Sequence, residues 1–125
     1  MQVKIDTKEK IHVISIQEPE LTANMTEEIQ NELLTYLEKP TKNVILDLLD
    51  TRSIDDAAAE TLINIQQAFY EQGASFVICN LAAVVQQKLD ATGLLEIMNE
   101  VPTLMEATDI IHLEEIEREF LEGGQ

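Results

Sequence analysis

The chain has 125 residues and a formal charge of −16, from 24 acidic against 8 basic side chains. That length suits one domain with its own core, and that acidity argues against nucleic acid and anionic membranes, which are bound by neutralising phosphates with Lys and Arg. The single cysteine, Cys79, excludes an intrachain disulfide and any cysteine-rich metal site.

At the start, alternating residues in 2–6 and 11–16 predict two strands joined as a hairpin across the polar stretch Asp6–Lys10. Pro19 cannot donate to a ladder and ends the second strand. Thr22-Ala23-Asn24 then leads into a helix. Asn24 is the expected N-cap, with Glu27 three residues on at capping-box spacing. Ile29, Leu33, Leu34 and Leu37 form the apolar stripe, and Lys39-Pro40 stops the helix.

Residues 44–49 are apolar apart from Asp47, which suggests a central strand covered on both faces. After a polar corner, Asp55 and Asp56 open a helix running from about Ala57, with Ala58, Leu62, Ile65 and Phe69 on one side and Gly73 as its stop. Residues 75–80 are a third strand, 82–90 a short helix and 96–98 a brief edge strand. A last helix is expected over 104–121, crowded with acids at its C-terminal end, where they oppose the macrodipole. Such an end frays or meets something basic. Residues 1–122 form the expected domain and 123–125 a disordered tail. Strand–helix–strand crossovers imply parallel pairing and the hairpin adds antiparallel strands, so the fold class is α/β. The expected architecture is a mixed sheet of four to five strands with four helices packed on it.

Two segments carry a family likeness. Val44-Ile45-Leu46-Asp47-Leu48 followed by Ile54-Asp55 at a helix start resembles the STAS domain of bacterial anti-sigma factor antagonists. Phe76-Val77-Ile78-Cys79-Asn80-Leu81, with Val84 to Leu89 and Gly93-Leu94, is similar to that family's fourth strand and the helix after it. The resemblance implies a non-enzymatic regulatory module with a protein partner, an anti-sigma factor or related regulatory kinase. It further implies partner binding through Asp55, Asp56, Ala57 and Ala58 with the adjacent Ser53, Thr22 and Asn24. In the family's phosphorylated members, the residue after the equivalent of Asp55 is a serine that the partner kinase phosphorylates. Here it is Asp56. A position often acidic in those members, in the loop before the first helix, falls near Thr22.

Asp56 therefore has two compatible readings. It is a permanent imitation of the phosphorylated state, which the resemblance implies would hold the protein away from an anti-sigma kinase or commit it to another partner, or it is a favourable first-turn charge behind an Asp55 cap. Ser53 is the nearest hydroxyl, off the family's acceptor position. The alternative function is a structural subunit of a larger assembly, such as a transporter or a stress-sensing complex, and a second copy of the chain is a further candidate partner.

No cofactor or metal is expected. Asp47, Asp50, Asp55 and Asp56 lack calcium-loop spacing, and no Gly-rich phosphate loop occurs. His12 and His112 stand apart from other ligating residues, and Cys79 reads as core. Met25, Met98 and Met105 suit packing or a partner surface. The N-terminus carries no secretory leader pattern and no apolar run approaches the ~18–20 residues of a membrane helix, so a cytoplasmic location is expected.

Overall fold

A computed structural model describes residues 1–123 of the chain. Seven strands, β1 (Val3–Lys8), β2 (Ile11–Ile16), β3 (Glu20–Leu21), β4 (Asn43–Asp47), β5 (Ser53–Ile54), β6 (Phe76–Cys79) and β7 (Glu100–Val101), alternate with four α-helices. The helices are α1 (Thr26–Leu34), α2 (Asp56–Glu71), α3 (Ala83–Ala91) and α4 (Leu104–Gly123). The main sheet has five strands in the order β1-β2-β4-β6-β7, antiparallel at β1–β2 and parallel at every other step. This is the mixed sheet with four helices that the order of elements predicts.

The near-continuous apolarity of 44–46 has the expected cause: β4 is the middle strand and both of its faces are buried. Val44 and Leu46 face α1, α2 and α3, in a core with Ile29, Leu62 and Phe69. Ile45 faces the other way, with Val77, Cys79, and Ala107 and Ile111 of α4. Three helices thus cover one face and α4 covers the other.

Several local expectations shift. β1 runs on to Lys8, so the hairpin turn is only Glu9-Lys10, with Glu9 at φ +54°. The expected strand at 96–98 is instead a 3₁₀ turn, Leu95–Ile97, and the edge strand lies later, at Glu100–Val101. Asn99 fixes that register: its carbonyl accepts from Ile78 N, while its Nδ2 donates to the Phe76 carbonyl. Gly73 ends α2 as expected, at φ +71°, where a Cβ would be strained. His12 is buried and structural, hydrogen-bonded to Thr7 Oγ1 and the Thr41 carbonyl and tilted against Tyr36. Helix α4 continues to Gly123, the first residue of the expected tail, and residues 124 and 125 lie outside the described residues.

Candidate functional site

The site is built at the C-terminal edge of the parallel strands, where loops are exposed but anchored. Past β4, Asp47 Oδ1 accepts from Leu49 N at 3.0 Å and from Asn80 Nδ2 at 3.2 Å, tying the β4 and β6 exits together. Asn80 takes φ +61°, a left-handed conformation that Asn tolerates better than most residues. The chain then turns, with Thr51 N donating to Leu48 O and Thr51 Oγ1 to Glu18 O. It next pairs with the segment after β2: β3 and β5 form a parallel two-residue ladder, Glu20 opposite Ser53 and Leu21 opposite Ile54.

That ladder delivers Asp55 to two helix starts at once. Its Oδ1 accepts from Ala58 N at 2.9 Å, the N-cap bond of α2. Its Oδ2 accepts from Ala23 N at 2.7 Å, in the 3₁₀ turn (Ala23–Met25) that leads into α1. The Ala58 N–H foremost holds the Asp55 carboxyl below its ordinary range; burial, the next largest effect, opposes it, and the Ala23 N–H and the Lys88 charge add to the lowering. Asn24 is therefore not the cap it was expected to be. It sits inside the 3₁₀ turn with no side-chain cap bond, because the helical winding begins before it, at Ala23, whose N–H is met by Asp55 from another part of the chain.

Asp56 begins α2 with 69% of its side chain exposed. Its carboxylate lies 3.9 Å from Lys88 Nζ, which also donates to the Ile54 carbonyl. The fixed negative charge at the helix start thus has one cation beside it, reaching across from α3. Ser53 and Ala57 are exposed near it, and Thr22 is half-buried. Ala58 is fully buried in the core, so it shapes the site from below and presents nothing to a partner. Two large apolar side chains leave the same edge of the sheet exposed: Leu49 after β4 and Val84 after β6. Sequence reasoning missed Leu49, Val84, Asn80 and Lys88. None carries a local signal, since their nearness follows from β4 and β6 being neighbours.

Asp47 and Asp55 are occupied separately, Asp47 by Leu49 and Asn80 and Asp55 by the two helix starts. Among the described residues no three His, Cys, Asp or Glu side chains gather as a metal set, and no helix is long and apolar enough to cross a membrane. Cys79 is buried on the α4 side, and desolvation foremost, then the Asp47 charge, pushes its thiol up to about 12.

Comparison with known proteins agrees with this geometry. The STAS domain family model matches residues 2–107. A sequence search of curated proteins finds no match. Among solved structures, an anti-sigma-factor antagonist (STAS) domain protein from Planctomyces limnophilus superposes with a TM-score of 0.73 at 20% identity, over 88% of this chain and 97% of that one. A serine-to-glutamate variant of RsbS from Moorella thermoacetica gives 0.72 at 22% identity, over 94% and 99%. The murine solute carrier 26 family member A9 anion transporter gives 0.71 at 15% identity, over 83% of this chain but 18% of that one. At these identities the likeness is one of fold. With the five-stranded mixed sheet, the Asp55-anchored start of α2 and a family match over most of its length, the chain belongs to the STAS domain family.

Proposed function

We propose that the protein is a cytoplasmic, non-enzymatic regulatory module of the anti-sigma factor antagonist type. It binds an anti-sigma factor or related regulatory kinase through the start of α2 and the loops beside it. The observation that carries this reading is the exposed Asp56 carboxylate on a rigid base, with Leu49, Val84 and Ala57 exposed at the same edge. A charged knob beside scattered apolar side chains suits a protein partner better than a small molecule, which needs a concave pocket.

Asp56 fixes the state of this surface. A carboxylate holds one negative charge, against −1.5 to −2 or so with three strong acceptor oxygens for a phosphorylated serine. Lacking a hydroxyl, the position takes no phosphate ester from a serine kinase, and binding is constant where a serine would make it switchable. Lys88 offsets part of the charge and keeps the carboxylate close to the helix start.

The test is to capture partners on wild-type protein and on Asp56→Ser, with and without ATP. Wild type retains an anti-sigma kinase whether or not ATP is present, while Asp56→Ser becomes phosphorylated and its retention changes. Equal retention of both forms, with no phosphate on Asp56→Ser, refutes the fixed-charge reading. Capture of transporter or stress-complex subunits alone refutes the anti-sigma reading in favour of a structural subunit.

A further inference from the structure

The opposite face of the sheet holds a second surface, remote from Asp56 in the fold. Helix α4 packs on β4, β6 and β7 through Ala107 and Ile111 and leaves a groove between itself and the β1–β2 hairpin. Ile11 and Val13 form the floor. The strand register sends Asp6 and Lys8 of β1 to this side, opposite Val13 and Ile11. Two cavities of about 510 and 400 Å³ follow one another along α4 and share Glu9, Ile11 and His112. Along the helix wall, Met105 is 76% exposed, Ile116 60% and, just beyond the groove, Phe120 77%.

Acids dominate around these apolar positions. Asp6 is paired with Lys8 and Glu9 with His112, and Glu115 is engaged by Arg118. Asp109 and Glu119 line the groove with no partner among the described residues, against Lys10 as the one cation likewise unpaired there. Glu117 and Glu122 add charge at the C-terminal end of α4, where the helix dipole is itself negative. An apolar stripe edged by surplus negative charge is complementary to apolar side chains edged by Lys and Arg. A second copy is the wrong occupant: a self-complementary contact would set these acids against themselves, in a chain of charge −16.

We propose that this groove binds an amphipathic helix of a partner protein, apolar along one face and flanked by Lys or Arg. From Leu104 to Phe120 the wall spans about 24 Å at 1.5 Å per residue, room for about four turns of a docked helix. Met105 gives one end an adaptable contact and Phe120 gives the other a large one.

The probe is a synthetic helix of about 18 residues with a Leu face and Lys flanks, beside a scrambled peptide of the same composition and one with Glu for Lys. Calorimetry and amide chemical shifts are read on the full chain. The amphipathic Lys peptide binds, shifts Leu104–Phe120 and the β2 floor, and loses at least about tenfold in affinity to Ile116→Asp and to Met105→Asp. Both positions are exposed, so both variants keep their fold by circular dichroism, and Leu49→Asp at the other site leaves the affinity unchanged. Equal binding of the scrambled peptide, shifts spread over the acidic surface, or indifference to Ile116→Asp overturns the proposal. A dimer in sedimentation that Ile116→Asp dissolves also overturns it, by naming a second copy as the occupant.

Discussion

Asp55 holds the starts of two helices with one carboxylate, Oδ1 at 2.9 Å from Ala58 N and Oδ2 at 2.7 Å from Ala23 N. The two bonds belong to segments more than thirty positions apart, so the side chain works as a clamp between α1 and α2 as well as a cap. Asp55→Asn leaves one acceptor oxygen in place of two, and Asp55→Ala leaves none. Both variants lower the Tm, Asp55→Ala further, and amide exchange quickens at Ala23 and Ala58 together. Exchange that rises at Ala58 alone would show that the link to Ala23 does not hold in solution. Because the carboxyl is held below its ordinary value, its contribution is full above the unfolded value of about 3.9 and is lost as pH falls through the folded one. Asp55→Ala therefore flattens the acid limb of the stability profile.

Asp56 behaves differently, because little of the fold rests on it. Its side chain is mostly exposed and its one ionic contact, Lys88 at 3.9 Å, spans two half-exposed or more exposed groups. Asp56→Ser changes stability by no more than about 0.5 kcal/mol in chemical denaturation, as surface substitutions usually do. A larger loss would mean that the residue is retained for folding and not for recognition.

The Cys79 thiol is closed to reagents. It is fully buried beneath α4, and desolvation with the nearby Asp47 charge pushes its pKa up to about 12. A thiol reagent at neutral pH labels the native protein only as fast as it opens, and stoichiometric labelling appears in denaturant. The raised value also sets a sign. Stability from the neutral thiol is complete below the unfolded value of about 8.5 and is lost as pH rises toward 12. Cys79→Ala removes that part of the alkaline limb.

Phe69 and Phe76 join α2 to β6, with ring centroids 5.1 Å apart and no exposure of either side chain. Phe69→Ala leaves a cavity under the helix that carries Asp56, at a cost of about 3–5 kcal/mol. Urea unfolding measures it, and the partner binding proposed for the α2 start weakens with it.

Glu114 fastens α4 to the sheet. Its Oε1 accepts from Tyr70 Oη at 2.8 Å and from the buried Ser75 hydroxyl at 2.6 Å. Burial foremost, then this carboxylate, holds the Tyr70 phenol above its ordinary range. Arg118 completes the joint by donating to Ser75 Oγ at 2.9 Å. Glu114→Ala destabilises by about 1.5–3 kcal/mol, the range for hydrogen bonds to a charged group, and brings the Tyr70 absorbance titration to lower pH. An unmoved titration would mean that Glu114 does not reach the phenol in solution.

Sequence periodicity was enough for much of this protein. Ala58, Leu62, Ile65 and Phe69 recur at helical spacing, and all are buried on α2 as that spacing requires. Residues 44–46 carry no polar side chain because β4 is covered on both faces, so its central place was visible from composition alone. The Asp55-Asp56 pair at a helix start was visible for a similar reason: a helix needs its first N–H groups satisfied within a few residues, and that need is local. What stayed hidden depends on pairing between distant segments. Asn24 had the right chemistry for a cap, yet the winding starts before it, at Ala23, whose N–H the two-residue ladder β3–β5 brings within reach of Asp55, and strands so short leave no periodic trace. Lys88 reaches Asp56, and Glu114 reaches Tyr70 and Ser75, only because the sheet order sets their elements side by side. Burial along one element is written into that element's own spacing. Which donor meets which acceptor between elements is decided when the sheet closes, by distances that no short window of the chain contains.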